Sequence, residues 1–230
     1  MKVYLQDKNG DCHPVEDNLG AVQSKVLKSC FKYSPEIILP LPLPSIEGEI
    51  LAKIIAWVNR PQCETLDLDN SEGFLVCDLL VASDFLDMPV LSGQIISWLT
   101  ESLTSSNVLD WWIFSKGFLI FKLELVCWKF LMKHLKDIKL NKLKALDKED
   151  ILSILTSDDL RMDEESVWLL VSQLTGRGPT QTLFLDCVRY GLLEERFWSE
   201  KVVPSSKFQR YFSSKSVSYT HLTLPTILLV

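Results

Sequence analysis

The sequence predicts an α+β chain, with a small sheet and several short helices at the front and a unit built only of helices behind. Three observations carry that reading. Residues 2–16 alternate apolar and polar positions on both sides of a turn, and apolar residues from residue 49 onward recur at helical spacing. After "TESLTSSN" no alternating segment returns until the tail, so the second half has no strands to offer.

Each element follows from local chemistry. "KVYLQ" and "CHPVE" alternate as strands do, and "DKNG" between them supplies Asn9 and Gly10, both able to take positive φ. Val22, Val26, Leu27 and Cys30 predict a helix over 21–31. "EIILPLPLP" starts as a strand, but proline cannot donate to a ladder, which makes it an edge strand running into an extended segment. Leu51, Ile54, Ile55 and Val58 predict a helix over 49–59, stopped by Pro61 and followed by the polar loop "PQCETLDLDNSEG". In "DLLVASDFLDMPVL" the face Leu75, Leu79, Ala82 and Leu86 predicts one helix. Asp87 is placed to cap a second with Pro89 in its first turn, burying Val90, Leu91, Ile95 and Leu99.

The second half reads as short antiparallel helices. They are expected over 108–115, over 119–134 with Leu123, Val126, Cys127, Phe130 and His134 on one stripe, over 164–174, and from Leu183 to Val188 after the turn "GRGPT". "ALDKEDI" is a helix start: Asp147 can cap, Asp150 sits near the positive helix end, and Leu146 can staple to Ile151. From Ser213 onward "SSKSVSYTHLTLPTILLV" has no helical period and resembles translated cDNA adapter sequence, which would place the loss of the natural reading frame after about Phe212; an ordinary tail is the alternative. The resulting division is 1–102, 105–203 and a linker and tail over 204–230.

Composition narrows the function. With 47% hydrophobic and 23% charged residues the chain is globular, and its formal charge of −6 does not suit a nucleic-acid binder. The one basic run, Lys129 to Lys148, interleaves with Leu131, Leu135, Ile138, Leu140 and Leu143, as a solvated helix face does. No signal peptide is visible, and "WWIFSKGFLIF" is too short and too interrupted to span a bilayer, so no membrane partner is expected. The six cysteines are scattered without a CxxC, and read as reduced thiols of a cytoplasmic or nuclear protein.

Residues for catalysis or for a cofactor are wanting. The three histidines, His13, His134 and His221, lack partners at ligand spacing, since adjacent Cys12 and His13 point to opposite strand faces. No nucleophile elbow or phosphate loop occurs, and the acids of "TSDDL" and "MDEES" sit at helix starts, where the dipole accounts for them. No enzyme activity, cofactor or metal is expected. Of the seven tryptophans, Trp57, Trp98, Trp128 and Trp168 fall within helical patterns. Trp111 and Trp112 cannot share a helix face, so one of them should lie at a boundary.

The motifs of the first half, in order, resemble a BTB (POZ) domain, and most of all the variant in elongin C and in the small adaptor of SCF ubiquitin ligases. "VYLQDKNGDCHPVE" is similar to that adaptor's strand, turn and strand, and "AVQSKVLKSC" to its A-x-Q-S helix. "LPLPSIEGEILAKIIAWVN" resembles its PLPNV segment and following helix, and "DLLVASDFLDMPVL" its L-x-A-A-N-Y-L-D helix pair. The second half resembles a BACK domain of the kelch-like type: "ALDKEDILSILTSDDLRMDEESVWLLVSQL" and "CVRYGLLEERFWSEKV" carry its pattern, and "VVPSSKFQRYF" is similar to the link that leads to a propeller.

The resemblance implies an adaptor that docks a cullin scaffold protein and delivers a substrate protein for ubiquitin transfer; a scaffold of cytoskeletal or transcriptional assemblies without a ligase role is the alternative. By motif match Asp84 and Phe85, with Asp87 and Met88, fall where the family meets the cullin. Phe85 as plain core is the competing reading. The chain starts at the first core strand, without the leading strand and helix that BTB dimers exchange, which leaves homodimerisation open. "KYSPEI" does not supply the hydrophobic-x-Glu signature cleanly, which leaves the choice of cullin open.

Overall fold

The computed structural model describes residues 2–16, 24–33, 40–59, 73–174 and 181–214. The expected start of a helix at 21–23, the strand at 36–39, the polar loop at 61–72, the "GRGPT" turn, Cys63, His221 and the tail beyond 214 lie outside the described residues. The chain divides into two compact units, Met1–Leu103 with Ser115–Leu123, and Thr104–Phe114 with Glu124–Val230. The class is α+β, with a small sheet near the N-terminus and helices elsewhere.

In the first unit β1 (Lys2–Gln6) and β2 (Cys12–Glu16) pair antiparallel, with Val3 opposite Val15 and Leu5 opposite His13. β3 (Leu41–Pro42) joins the other side of β1 in parallel, giving the order β2-β1-β3, and its proline stands at an edge as the missing donor requires. The hairpin turn is tied by a side chain. Asp7 Oδ1 accepts the amides of Asn9 at 2.8 Å and Asp11 at 2.9 Å, while its Oδ2 lies 3.0 Å from His13 Nε2. Gly10 takes φ +93° but Asn9 does not become left-handed, because the bond to Asp7 already closes its turn.

Among the described residues four helices complete this unit's main body: α1 (Lys25–Tyr33), α2 (Gly48–Val58), α3 (Gly73–Phe85) and α4 (Pro89–Glu101). α1 is described from Lys25, with Ser24 before it as its cap: the Ser24 oxygen accepts the Leu27 amide. α2 buries Ile50, Leu51, Ile54, Trp57 and Val58, whereas Ile55 is half-buried: the stripe centres on Ile54, and Ile55 falls at its margin. The Trp57 indole donates to Gln94 Oε1 at 2.9 Å, fixing α2 against α4. Leu79, Leu80, Leu86, Leu91, Ile95 and Leu99 are each no more than 1% exposed and form the core between α3 and α4. Truncation of any of them to alanine costs on the order of 2–5 kcal/mol.

Among the described residues the second unit has helices and turns and no strand. Within it α5 (Val108–Gly117) buries Val108, Leu109 and Trp112, and α6 (Phe121–His134) buries Cys127 and Leu131; Ser115–Leu123, with buried Leu123, count with the first unit. Val126, Phe130 and His134 are only half-buried, and the rings of the last two lie 4.5 Å apart. α6 starts two residues after the expected point, because Leu119 takes φ +57° and ends the preceding turn. Trp112 is buried with its ring 5.6 Å from Trp128, while Trp111 is half-buried and meets Phe114 edge-on.

The basic run extends from the end of α6 through a 3-10 turn over Leu135–Asp137 and the short α7 (Leu140–Leu143). Its lysines 129, 133, 136, 139 and 144 are exposed around buried Leu131, Leu135, Ile138 and Leu143. In α8 (Lys148–Leu155) Asp147 occupies the N-cap position, but its carboxylate makes no capping bond; Leu146 and Ile151 are both buried. α9 (Glu164–Leu174) is capped by Asp163, which accepts from Ser166 N–H at 2.8 Å and Ser166 Oγ at 2.7 Å.

The end of the unit departs from the sequence reading. After α10 (Gln181–Asp186) come a 3-10 turn (Tyr190–Leu192), α11 (Glu195–Phe197) and a π-turn over Trp198–Val202. The segment read as a linker from residue 204 then forms a further helix, α12 (Ser206–Ser214). Phe208 and Tyr211 recur at helical spacing and are buried, and the Phe208 ring lies 5.1 Å from Trp198 and 6.3 Å from Trp168. Pro204 and the serines after it hid this amphipathic stretch.

Candidate functional site

The bend between α3 and α4 is a helix C-cap built without glycine. Asp87 takes φ +47°, the left-handed conformation that ends a helix and that aspartate tolerates better than most side chains. Its amide donates to the Asp84 carbonyl and the Met88 amide to the Ser83 carbonyl, both at 2.9 Å, which is the paired bonding of a Schellman motif. Met88, and not Asp87, is the N-cap residue of α4, and Pro89 occupies its first turn. Asp87 therefore ends one helix where the sequence placed it at the start of the next.

Two further contacts hold the bend. The Ser24 hydroxyl donates to the Leu86 carbonyl and its oxygen accepts the Leu27 amide at 3.1 Å, so the cap of α1 is also a tie to the end of α3. Lys25 Nζ lies 3.1 Å from Asp87 Oδ2, and the Lys25 amide donates to the Asp87 carbonyl. Inside the bend, Ser83 Oγ donates to Leu80 and lies 2.9 Å from Ser92 Oγ, linking the two helices through a buried polar pair.

On this frame the four residues singled out by sequence separate. Asp84 is exposed and Phe85 is 57% exposed, so Phe85 is not a core residue. Asp87 is half-buried, its carboxylate turned to Lys25. Met88 is 1% exposed and presents nothing to a partner; it packs beneath the bend and fixes its angle. Val90, expected in the core, is 54% exposed and stands on the outside of the same corner. Leu91, Ile95 and Leu99 take the inward face of α4, which turns position 90 outward. Ser24 and Lys25 also belong to this corner and were passed over in the sequence. A serine directly before a helical pattern is the signal that marks the first of them.

The remaining titratable groups are absorbed by structure. Glu164, at the start of α9, is buried and takes both the amide and the Nε of Arg189, the latter at 3.2 Å. The Asp7 carboxyl is held below the ordinary carboxylate range, first by its hydrogen bond to His13. Burial pushes the thiols of Cys77 and Cys127 up to about 11 and about 12, which makes them inert as nucleophiles. Among the described residues no group of His, Cys, Asp and Glu side chains is placed to hold a metal ion, and no helix is long and apolar enough to cross a membrane.

Residues 108–203 match the family model BACK, described as BTB And C-terminal Kelch. That stretch runs from the start of α5 to the residue after the π-turn. No curated protein matches the chain.

Proposed function

We propose that the chain is a BTB–BACK interaction adaptor, and that its corner between α3 and α4 docks a cullin scaffold in a ubiquitin ligase while the helical unit leads to a substrate receptor. BACK domains occur in BTB–kelch adaptor proteins, and the match over 108–203 supports the adaptor part. The observation that carries the docking part is Phe85. A large apolar ring, 57% exposed, stands on a helix corner whose backbone is tied by the Schellman bonds and by Ser24. A rigid exposed aromatic with a carboxylate beside it suits an anchor that enters a partner's pocket, with Asp84 at the polar rim.

The test is capture by a panel of purified cullin N-terminal domains, comparing the chain with Phe85→Ala. The expected result is that one cullin binds, and that the alanine variant weakens binding by about 30-fold or more, as loss of an anchor does. Its unfolding midpoint should move little, since truncating an exposed side chain shifts stability by about 0.5 kcal/mol at most. Binding to none of the cullins rejects the ligase reading in favour of a scaffold in other assemblies.

A further inference from the structure

α6 turns one row of side chains outward. Cys127 and Leu131 are buried, and two positions from each, about 200° round the axis, Leu125, Lys129 and Lys133 recur at i, i+4 and i+8. All three are exposed, Leu125 to 53%. Neither lysine has an ion-pair partner among the described residues. Arg161 is exposed and likewise has none there; its amide donates to the Met132 carbonyl at 2.8 Å, which sets it against the last turn of the same helix. Lys136 adds a further cation in the 3-10 turn, although part of its charge is taken up by Asp163. No acid occurs between Leu125 and Lys136. Of the acids that flank this end, Asp137 meets His134 at 3.4 Å and Asp163 caps α9.

We infer that this face of α6 binds a short acidic segment of another protein, with carboxylates over Lys129, Lys133 and Arg161 and an apolar side chain over Leu125. Charge complementarity is the ground. Like charges at i, i+4 repel, so a helix face made only to meet water interleaves its lysines with acids, and this one does not. The helix dipole favours a cation in the last turn, which accounts for Lys133 but not for Lys129 a turn earlier. Charge also separates a short peptide from a long polyanion. Residues 125–136 carry +3 in a chain of −6. A DNA duplex or an anionic membrane meeting the row would also meet the field of the surrounding acids, whereas a peptide covers the row alone. The face lies within the second unit and does not depend on the docking proposed for Phe85.

The test is fluorescence anisotropy of a short labelled peptide of glutamate, leucine and alanine, titrated with the full chain at about 50 mM salt, where screening is weak. The native chain is expected to bind this peptide and not its counterpart with lysine in place of glutamate. Lys129→Gln with Lys133→Gln should weaken binding about tenfold, Arg161→Gln and Leu125→Ala each about threefold, and Phe85→Ala not at all. Lys139→Gln with Lys144→Gln removes the same charge from two other exposed positions of the basic run and should leave binding nearly unchanged. The urea midpoint of each variant checks that it is folded. Equal weakening by the two lysine pairs overturns the inference in favour of general charge attraction, and so does failure of the native chain to bind the acidic peptide. Tighter binding of a DNA duplex or of phosphatidylserine vesicles, with the same dependence on Lys129 and Lys133, assigns the face to a polyanion and also overturns it.

Discussion

Ser24 and Leu86, 62 residues apart, share one hydrogen bond: the buried Ser24 hydroxyl donates to the Leu86 carbonyl while its oxygen caps Leu27. One small side chain therefore starts α1 and closes the last turn of α3. It brings the start of α1 to the corner that carries Phe85.

Replacing Ser24 by alanine removes both bonds and leaves the Leu86 carbonyl buried without its donor. The expected cost is about 2 kcal/mol, the sum of a lost cap and an unmet acceptor. Urea unfolding followed by far-UV circular dichroism measures it, and Ser24→Thr, which keeps the hydroxyl, should recover most of the loss. Equal destabilisation by both substitutions would assign the effect to packing at this site.

Gly48 opens α2 where nothing larger fits. A Cβ there would run into Asp7 Oδ2, and that oxygen cannot swing away easily because His13 and the turn amides hold the carboxylate. Alanine in a helix is ordinarily favoured over glycine by about 1 kcal/mol. Here the clash should win, so that Gly48→Ala destabilises by about 1–2 kcal/mol in the same urea assay. Combining it with Asp7→Gly should cost less than the sum of the two single changes.

The caps also set an acid limit. Ser166, by its hydroxyl first and its amide second, holds the Asp163 carboxyl below the ordinary range, as His13 does for Asp7. A carboxylate whose folded value is depressed contributes stability that is fully present above its unfolded value of about 4 and is lost as pH falls through the lowered folded value. The urea midpoint should therefore hold steady from neutral pH down to about 5 and drop below about 4. Asp163→Asn should flatten part of that drop, and an unchanged acid limb in this variant would show that other carboxylates govern it.

The parts of the molecule that could be read from the chain were those where one local rule decides the outcome. The hairpin, the edge position of Pro42 and the span Glu164–Leu174 follow from alternation, a missing donor and helical period. What could not be read depended on distant partners. Met88 was placed at a partner surface by the family resemblance, yet the Schellman bond at its amide and the packing beneath the bend take it into the core. Val90 went the other way, because the phase of α4 is set by Pro89 and the inward pull of Leu91. Glu164 looked like a helix-start acid until Arg189, from beyond α10, closed on it. Phe208 and Tyr211 were hidden behind a proline and serines and found their place only against Trp168, Tyr190 and Trp198.

That last arrangement bears on how anything attached beyond Ser214 would be carried. Because α12 is clamped by two aromatic side chains, it is an outgoing axle with a set bearing, not a tether. The backbone leaves α12 at Ser214 in a direction set by the helical unit, and lengthening α12 by one residue would turn that exit by about 100° around the axis.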